Sequence, residues 1–272
     1  MSIQPTQPQS IGGVLDTTFQ LYKASVVKMI PLSLLMVIAS SPQSIYMFTS
    51  GGIAGNAADP FAMLAMMQSG GYWLATLVGL VFTMLTWSAA YLKIGAIGAG
   101  GDLAIGPALA KALTRLPAVL IMVVLFGIAL TIGAILLIIP FFILMVSLGL
   151  CFNTALFEEK GPVDALSESH RLVWGNWWRT AAILTVGFLI IFVIYLIAGM
   201  IIGAIAPVVV LGGGGTENLL LISLVSGLLI GVLMNVLVTP FYISLAISIY
   251  WDLKLRKDGG DLAARVGALN PA

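Results

Sequence analysis

Four stretches of this chain contain no Lys, Arg, Asp or Glu: Met29 to Phe48, Tyr72 to Leu92, Leu116 to Phe157 and Thr180 to Val210. About 20 consecutive apolar residues in a helix cross the ~30 Å hydrocarbon core of a bilayer. Within lipid, every backbone N–H and C=O has to be satisfied inside the segment, and for runs of this length the solution is the α-helix. Only 8% of the 272 residues are charged and 60% are hydrophobic, whereas a soluble domain carries about 25% charged residues. A water-facing globular fold is therefore excluded. The expected fold is an all-α integral membrane protein in one domain over 1–272: a tail and interfacial helix over 1–28, a six-span bundle over 29–251 and a cytoplasmic tail over 252–272.

The spans are expected at about 29–48, 72–94, 116–139, 141–157, 180–209 and 219–251. Leu116 to Phe157 is uncharged for 42 residues, roughly 63 Å as a single helix at 1.5 Å per residue. That is twice the apolar core, so the run has to turn back. Pro140 marks the expected helix break, because proline lacks an N–H and clashes with the preceding turn. A break at Pro240 would instead leave only Phe241 to Trp251, about 16 Å of helix and too short to cross. The last span is therefore expected to be one long, kinked helix.

Lys and Arg are retained on the cytoplasmic side during insertion. The six-span arrangement puts all twelve of them, Lys23, Lys28, Lys93, Lys111, Arg115, Lys160, Arg171, Arg179, Lys254, Arg256, Lys257 and Arg265, on one side. The other side has only Asp59 and Glu217. Both termini are thus expected in the cytoplasm, and Met1 to Lys28 lacks the basic n-region and cleavage site of a signal peptide, so no processing is expected. In the outer loop, Asp59 and Pro60 predict a short helix bearing Phe61, Leu64 and Met67. Gly212 to Gly215 predict a second, flexible outer loop.

Three cytoplasmic stretches begin alike: Ile11-Gly12-Gly13, Ile105-Gly106-Pro107 and Lys160-Gly161-Pro162. Each leads into a span, which suggests three copies of one unit, an interfacial amphipathic helix followed by a helical hairpin. In the first copy Ile11, Val14, Leu15, Phe19 and Tyr22 share a face, opposite Asp16, Gln20 and Lys23. In the third, Val163, Leu166, His170 and Val173 are spaced to share an apolar face, opposite Asp164, Glu168 and Arg171.

The most distinctive cluster is Trp174, Gly175, Asn176, Trp177, Trp178, Arg179. Indole rings flanked by guanidinium groups settle at the headgroup level, where ring and N–H are both satisfied. Arg171, Trp174, Trp177, Trp178 and Arg179 are accordingly the candidates for contact with a lipid headgroup. Gly199 and Gly203, with Gly227 and Gly231, form small-residue ridges at i+4 spacing that predict close packing of the last two spans, or of one copy against another.

Catalytic and metal chemistry find little material. Cys151 is the only cysteine and His170 the only histidine, too few for a metal set of the usual kind. There is no HExxH, GxSxG or Walker motif, no cofactor signature and no basic stripe for nucleic acid. No ionisable group is expected at mid-membrane depth, where coupled transporters usually carry one. The expected partners are membrane lipids, with a second copy or another membrane protein.

Three segments carry a family resemblance: IGGVLDTTFQLYK from Ile11 to Lys23, LLIIPFFILMVSLGLCFNTALFEEKGPVDALSESHRLVWGNWWR from Leu136 to Arg179, and YWDLKLRKDGGDL from Tyr250 to Leu262. In these the chain resembles the bacterial membrane-domain family named after glycerophosphoryl diester phosphodiesterase. The resemblance implies a six-span domain of the bacterial inner membrane. No phosphodiesterase domain is expected after Leu262, so no such activity and no site residue is carried over. The function expected is a non-enzymatic role in envelope or lipid homeostasis through lipid or partner binding, with a small-solute transporter or channel as the alternative.

Overall fold

A computed structural model describes residues 2–50, 61–136, 138–211, 227 and 229–269. All its regular structure is helical: α1 Ile11–Ala39, α2 Pro42–Thr49, α3 Ala62–Met67, α4 Gly70–Gly98, α5 Ile105–Leu136, α6 Ile138–Leu148, α7 Cys151–Phe157, α8 Pro162–Val173, α9 Trp177–Leu211, a π-helical turn Met234–Val238 and α10 Thr239–Leu269. Six helical segments are long and apolar enough to cross a membrane: Ile11–Thr49, Gly70–Gly98, Ile105–Leu136, Ile138–Phe157, Trp177–Ile201 and Leu229–Lys257. The chain is thus a multi-pass membrane protein.

The first two copies of the suspected repeat depart from expectation. No helix boundary separates an interfacial helix from the first span, since α1 runs unbroken through Lys28 and carries Pro31 inside it. The reason lies in the buried stripe Val14, Thr18, Leu21, Ser25, Met29, Leu32 and Met36, whose i+3/i+4 spacing crosses the supposed boundary without a phase change. Ser10 caps the start, its Oγ accepting from the Gly13 N–H at 3.1 Å, as an N-cap serine does. Ile105 to Leu116 is likewise continuous with the next span, with Pro117 inside α5. Only α8 is a separate element, with Gly161 as its N-cap and Pro162 at its first position, where a missing N–H is harmless.

The run breaks as expected into two membrane-length segments, but between Leu136, where α5 ends, and Ile138, where α6 begins. Pro140 is the third residue of α6, within the first turn, whose N–H groups have no intrahelical acceptor anyway. The two helices press together nearby, where a Cβ on Gly133 would stand 3.1 Å from the Phe141 backbone. The break that sequence inspection misses lies lower, at Gly149–Leu150 between α6 and α7. A side chain from α8 fills it: Leu150 N–H donates to Ser169 Oγ at 3.1 Å, and Ser169 Oγ donates to the Ser147 carbonyl at 2.9 Å. Thr154 Oγ1 donates to the Ala165 carbonyl at 2.8 Å and Asn153 Nδ2 to the Ala246 carbonyl at 2.8 Å, tying α7 to α8 and α10.

The last span is continuous across Pro240, as expected, by way of the π turn Met234–Val238. A proline ring clashes with the carbonyl four residues back; for Pro240 that residue is Val236, inside the wider turn. Leu229–Lys257 is the most enclosed of the six segments and Trp177–Ile201 the least, with 50% and 11% of their apolar stretches buried. The core joins α1, α4, α7, α8 and α10 through Leu21, Tyr91, Ile94, Leu156, Leu172 and Ile247. Between α2 and α4, α3 covers Leu64 and Met67 of the expected short helix, while Asp59 and Pro60, like Gly212 to Gly215, lie outside the described residues.

Candidate functional site: a tryptophan groove beside a charged clamp

Helix α8 stops at Trp174, whose backbone is extended, and the chain turns through Gly175 at φ +98° before α9 begins at Trp177. That φ lies in the left-handed region where glycine is at ease. The turn projects the three indoles toward α6. Trp177 Nε1–H donates to the Ile143 carbonyl at 3.4 Å, and the Trp177 and Trp178 rings meet edge to face with centroids 4.8 Å apart. Together with Ile139 and Ile143 they line a groove of about 450 Å³. Trp178 is 82% exposed, far more than a ring that only fills a core. His170, expected on an apolar face, is exposed and lies against Trp174, ring centroids 5.0 Å apart.

The two arginines part company. Arg171, three residues before Trp174, stays at the exposed edge of α8, where its guanidinium holds Glu168 through Nε at 2.9 Å. Arg179 turns away from the indoles. Its Nε and Nη2 donate to Asp252 Oδ2 at 3.3 and 3.0 Å, and Nη2 also donates to the Gln9 carbonyl at 2.6 Å. Arg256 Nε donates to the same carboxylate at 3.0 Å, and Gln9 N–H donates to Oδ1 at 2.7 Å. The Asp252 side chain is only 1% exposed. Arg179 thus clamps the N-terminal tail and α9 onto α10, and the headgroup set expected from sequence divides into a groove and a clamp.

Further ion pairs join the same end of the bundle. Asp102, in the α4–α5 loop, takes Lys28 at 3.0 Å and the buried Lys93 at 3.3 Å. Glu158 takes Lys254 at 2.9 Å and Lys160 at 3.2 Å, and Glu159 takes Lys111 and Arg115. Asp252, Gln9 and Glu158 escape sequence inspection. For Asp252 there is one weak signal, an Asp directly after an apolar run with Arg256 one helical turn on.

Glu168 shows how the sequence pattern misplaces a face. Assigned to the polar side of α8, it is 8% exposed and packs inward with Ala165, Ser169 and Leu172. Its carboxyl is held down to about 2, first by hydrogen bonding from Arg171, with burial opposing and Lys160 adding to the lowering. A carboxyl lowered from 4.5 contributes stability that is complete above 4.5 and is lost as pH falls through about 2. Thermal melts of wild type and Glu168→Gln in detergent are therefore expected to differ at pH 7 and to converge as pH drops from about 4.5 toward 2. A gap that stays constant across that window would contradict the assignment.

Among the described residues of the single chain, a Cβ on Gly199, Gly203, Gly227 or Gly231 would meet nothing within 4 Å, so no close approach of helices within the chain is found at the four glycines, and packing of one copy against another is a separate matter. The tight positions are others. A Cβ on Gly98 would lie 2.3 Å from the Trp251 ring, one on Gly95 2.8 Å from the Phe157 ring, and one on Gly187 2.2 Å from a Leu245 methyl.

A family model described as a domain of unknown function, DUF7847, matches residues 64–245, more than half of the chain. No curated protein and no solved structure matches.

Proposed function

The chain belongs to the DUF7847 family, and from that premise we propose that it is a non-enzymatic, lipid-binding protein of the bacterial inner membrane, acting in envelope or lipid homeostasis. The observation that carries this is the groove of Trp174, Trp177 and Trp178 against Ile139 and Ile143, apolar in its walls; the exposed Arg171 stands three residues before Trp174 in the chain. An acyl chain lies along the indoles, and Arg171 reaches the headgroup phosphate by exchanging part of its contact with Glu168. Arg179 has no headgroup role, because Asp252 and Gln9 occupy it. The six spans form three hairpins with both termini in the cytoplasm, supported by the ion pairs that gather at one end of the bundle. The link to glycerophospholipid metabolism rests on the resemblance of Leu136 to Arg179 to the phosphodiesterase-associated family.

Native mass spectrometry of the protein released from its own membranes tests the proposal. Wild type is expected to retain phospholipid, and Trp174→Ala with Trp178→Ala to lose it. A wild-type protein that emerges free of lipid, or a double variant that keeps as many bound phospholipids as wild type, overturns the assignment.

One observation favours a transporter as the second reading: the α6–α7 break at Gly149–Leu150, beside Asn153 Oδ1 and Ser147 Oγ, which are buried without a hydrogen-bond partner. Discontinuous helices build substrate sites in transporters. Cysteines at Gly149 and Ser147 that react with a water-soluble maleimide would support it, and inert ones would remove it.

A further inference from the structure

A second cavity, of about 520 Å³, opens at the charged end of the bundle, away from the tryptophan groove. Its size is that of a small-molecule site. The floor is apolar, with Phe157, Trp251 and leucines of α4, α7 and the α4–α5 loop, and Gly95 and Ala96 of α4 with its C-cap Ala99 leave the space open. The polar atoms belong to Lys111, Lys254, Tyr250 and Gln4. Among the described residues that line it, two carry positive charge and none is a carboxylate.

How the lysines are held matters. Lys111 and Lys254 come from α5 and α10, and each is 41–50% exposed at its side chain. Two consecutive residues hold them: Glu159 takes Lys111 at 3.4 Å and Glu158 takes Lys254 at 2.9 Å, with Tyr250 Oη donating to Glu158 at 2.8 Å. Neighbouring side chains can diverge this way because Glu159 has φ 55°, a left-handed conformation that costs a non-glycine residue about 1 kcal/mol or more. The Lys111–Glu159 pair is exposed on both sides and weak, about 0–1 kcal/mol, and Glu158, though only 14% exposed, keeps Lys160 and the Tyr250 hydroxyl as partners when an anion takes Lys254. The N-terminal tail closes one wall, its Ile3 and Gln4 N–H groups donating to the Gly98 carbonyl at 2.8 and 3.1 Å.

We propose that this cavity binds an anionic amphiphile, with a phosphate or carboxylate head between Lys111 and Lys254 and a short apolar chain against Phe157 and Trp251. The same chemistry is offered by a bilayer lipid of the charged face and by a soluble alkyl phosphate. The site goes beyond the lipid groove proposed above and does not depend on it.

The test is lysine acetylation footprinting of the full-length protein in phosphatidylcholine nanodiscs, read residue by residue by mass spectrometry, with octyl phosphate as probe. At a free concentration ten times its Kd, octyl phosphate is expected to slow acetylation of Lys111 and Lys254 about tenfold and to leave Lys23 unchanged. Protection in phosphatidylglycerol nanodiscs without added probe supports the proposal with the bilayer as source. Protection only on adding octyl phosphate supports it with a soluble source. Ala99→Phe fills the cavity and leaves both ion pairs in place, so its protection is expected to vanish. Equal protection by inorganic phosphate, no protection under any condition, or protection that survives Ala99→Phe in a variant with a wild-type melting temperature each overturns the proposal.

Discussion

Asp252→Asn is expected to destabilise the protein by about 3–5 kcal/mol, the usual effect of removing one partner from a buried ion pair. The carboxylate is almost wholly enclosed and accepts from Arg179, Arg256 and the Gln9 N–H at once. Asparagine keeps the shape but halves the acceptor capacity and points an NH₂ at a guanidinium. Two cations, with side chains 19% and 30% exposed, then lose their counter-charge where water reaches them poorly. The melting temperature in detergent should fall on the order of 10 °C. The tail should come loose with it, since residue 9 is anchored there, and limited proteolysis should cut before Ser10. A variant that melts within about 2 °C of wild type, with an intact tail, would mean that the clamp contributes little.

Gly98→Ala is the second large effect. The new methyl would meet the rigid Trp251 ring at 2.3 Å and Leu21 at 3.1 Å, and overpacking of this kind costs about 1–3 kcal/mol. Gly187→Ala meets the end of the flexible Leu245 side chain instead, so its effect should be smaller despite a similar distance. Gly199→Ala and Gly203→Ala meet nothing among the described residues and should be neutral or stabilising by up to about 1 kcal/mol, the ordinary gain of alanine over glycine in a helix. Melting temperatures ordered Gly98→Ala lowest, then Gly187→Ala, then Gly199→Ala, are the expected result. A Gly199→Ala variant that falls furthest would return that ridge to a packing role.

The long apolar runs made the all-helical class and the number of membrane-length segments readable, because lipid leaves the backbone so few choices. Pro162 likewise announced α8. Inspection failed where helix boundaries depend on packing phase. The stripe from Val14 to Met36 carries on through Lys28, and nothing in residue type alone says that a polar turn there continues a buried face. Pro140 looked like the turn because proline breaks helix interiors, yet it sits in a first turn that needs no donor. Gly149–Leu150 breaks a helix without proline, and the side chain that makes the break tolerable, Ser169, is 19 residues away. Asp252 meets Gln9 across 243 residues, a separation no local pattern spans. The tryptophans were recognisable as amphipathic rings, but Arg179 was grouped with them by proximity in sequence, whereas one step around the helix turned it toward α10.

The placement of loops on the two sides of a membrane underlies both proposed sites, and labelling of single cysteines in a Cys151→Ala background tests it most directly. Cysteines at Thr6, Gly101 and Gly161 are expected to react with an impermeant maleimide from one side of sealed vesicles, and one at Gln68 from the other side only. Gln68 and Gly101 labelled from the same side, or Gly101 and Gly161 from opposite sides, would contradict a bundle whose charged clamp and cavity share one face.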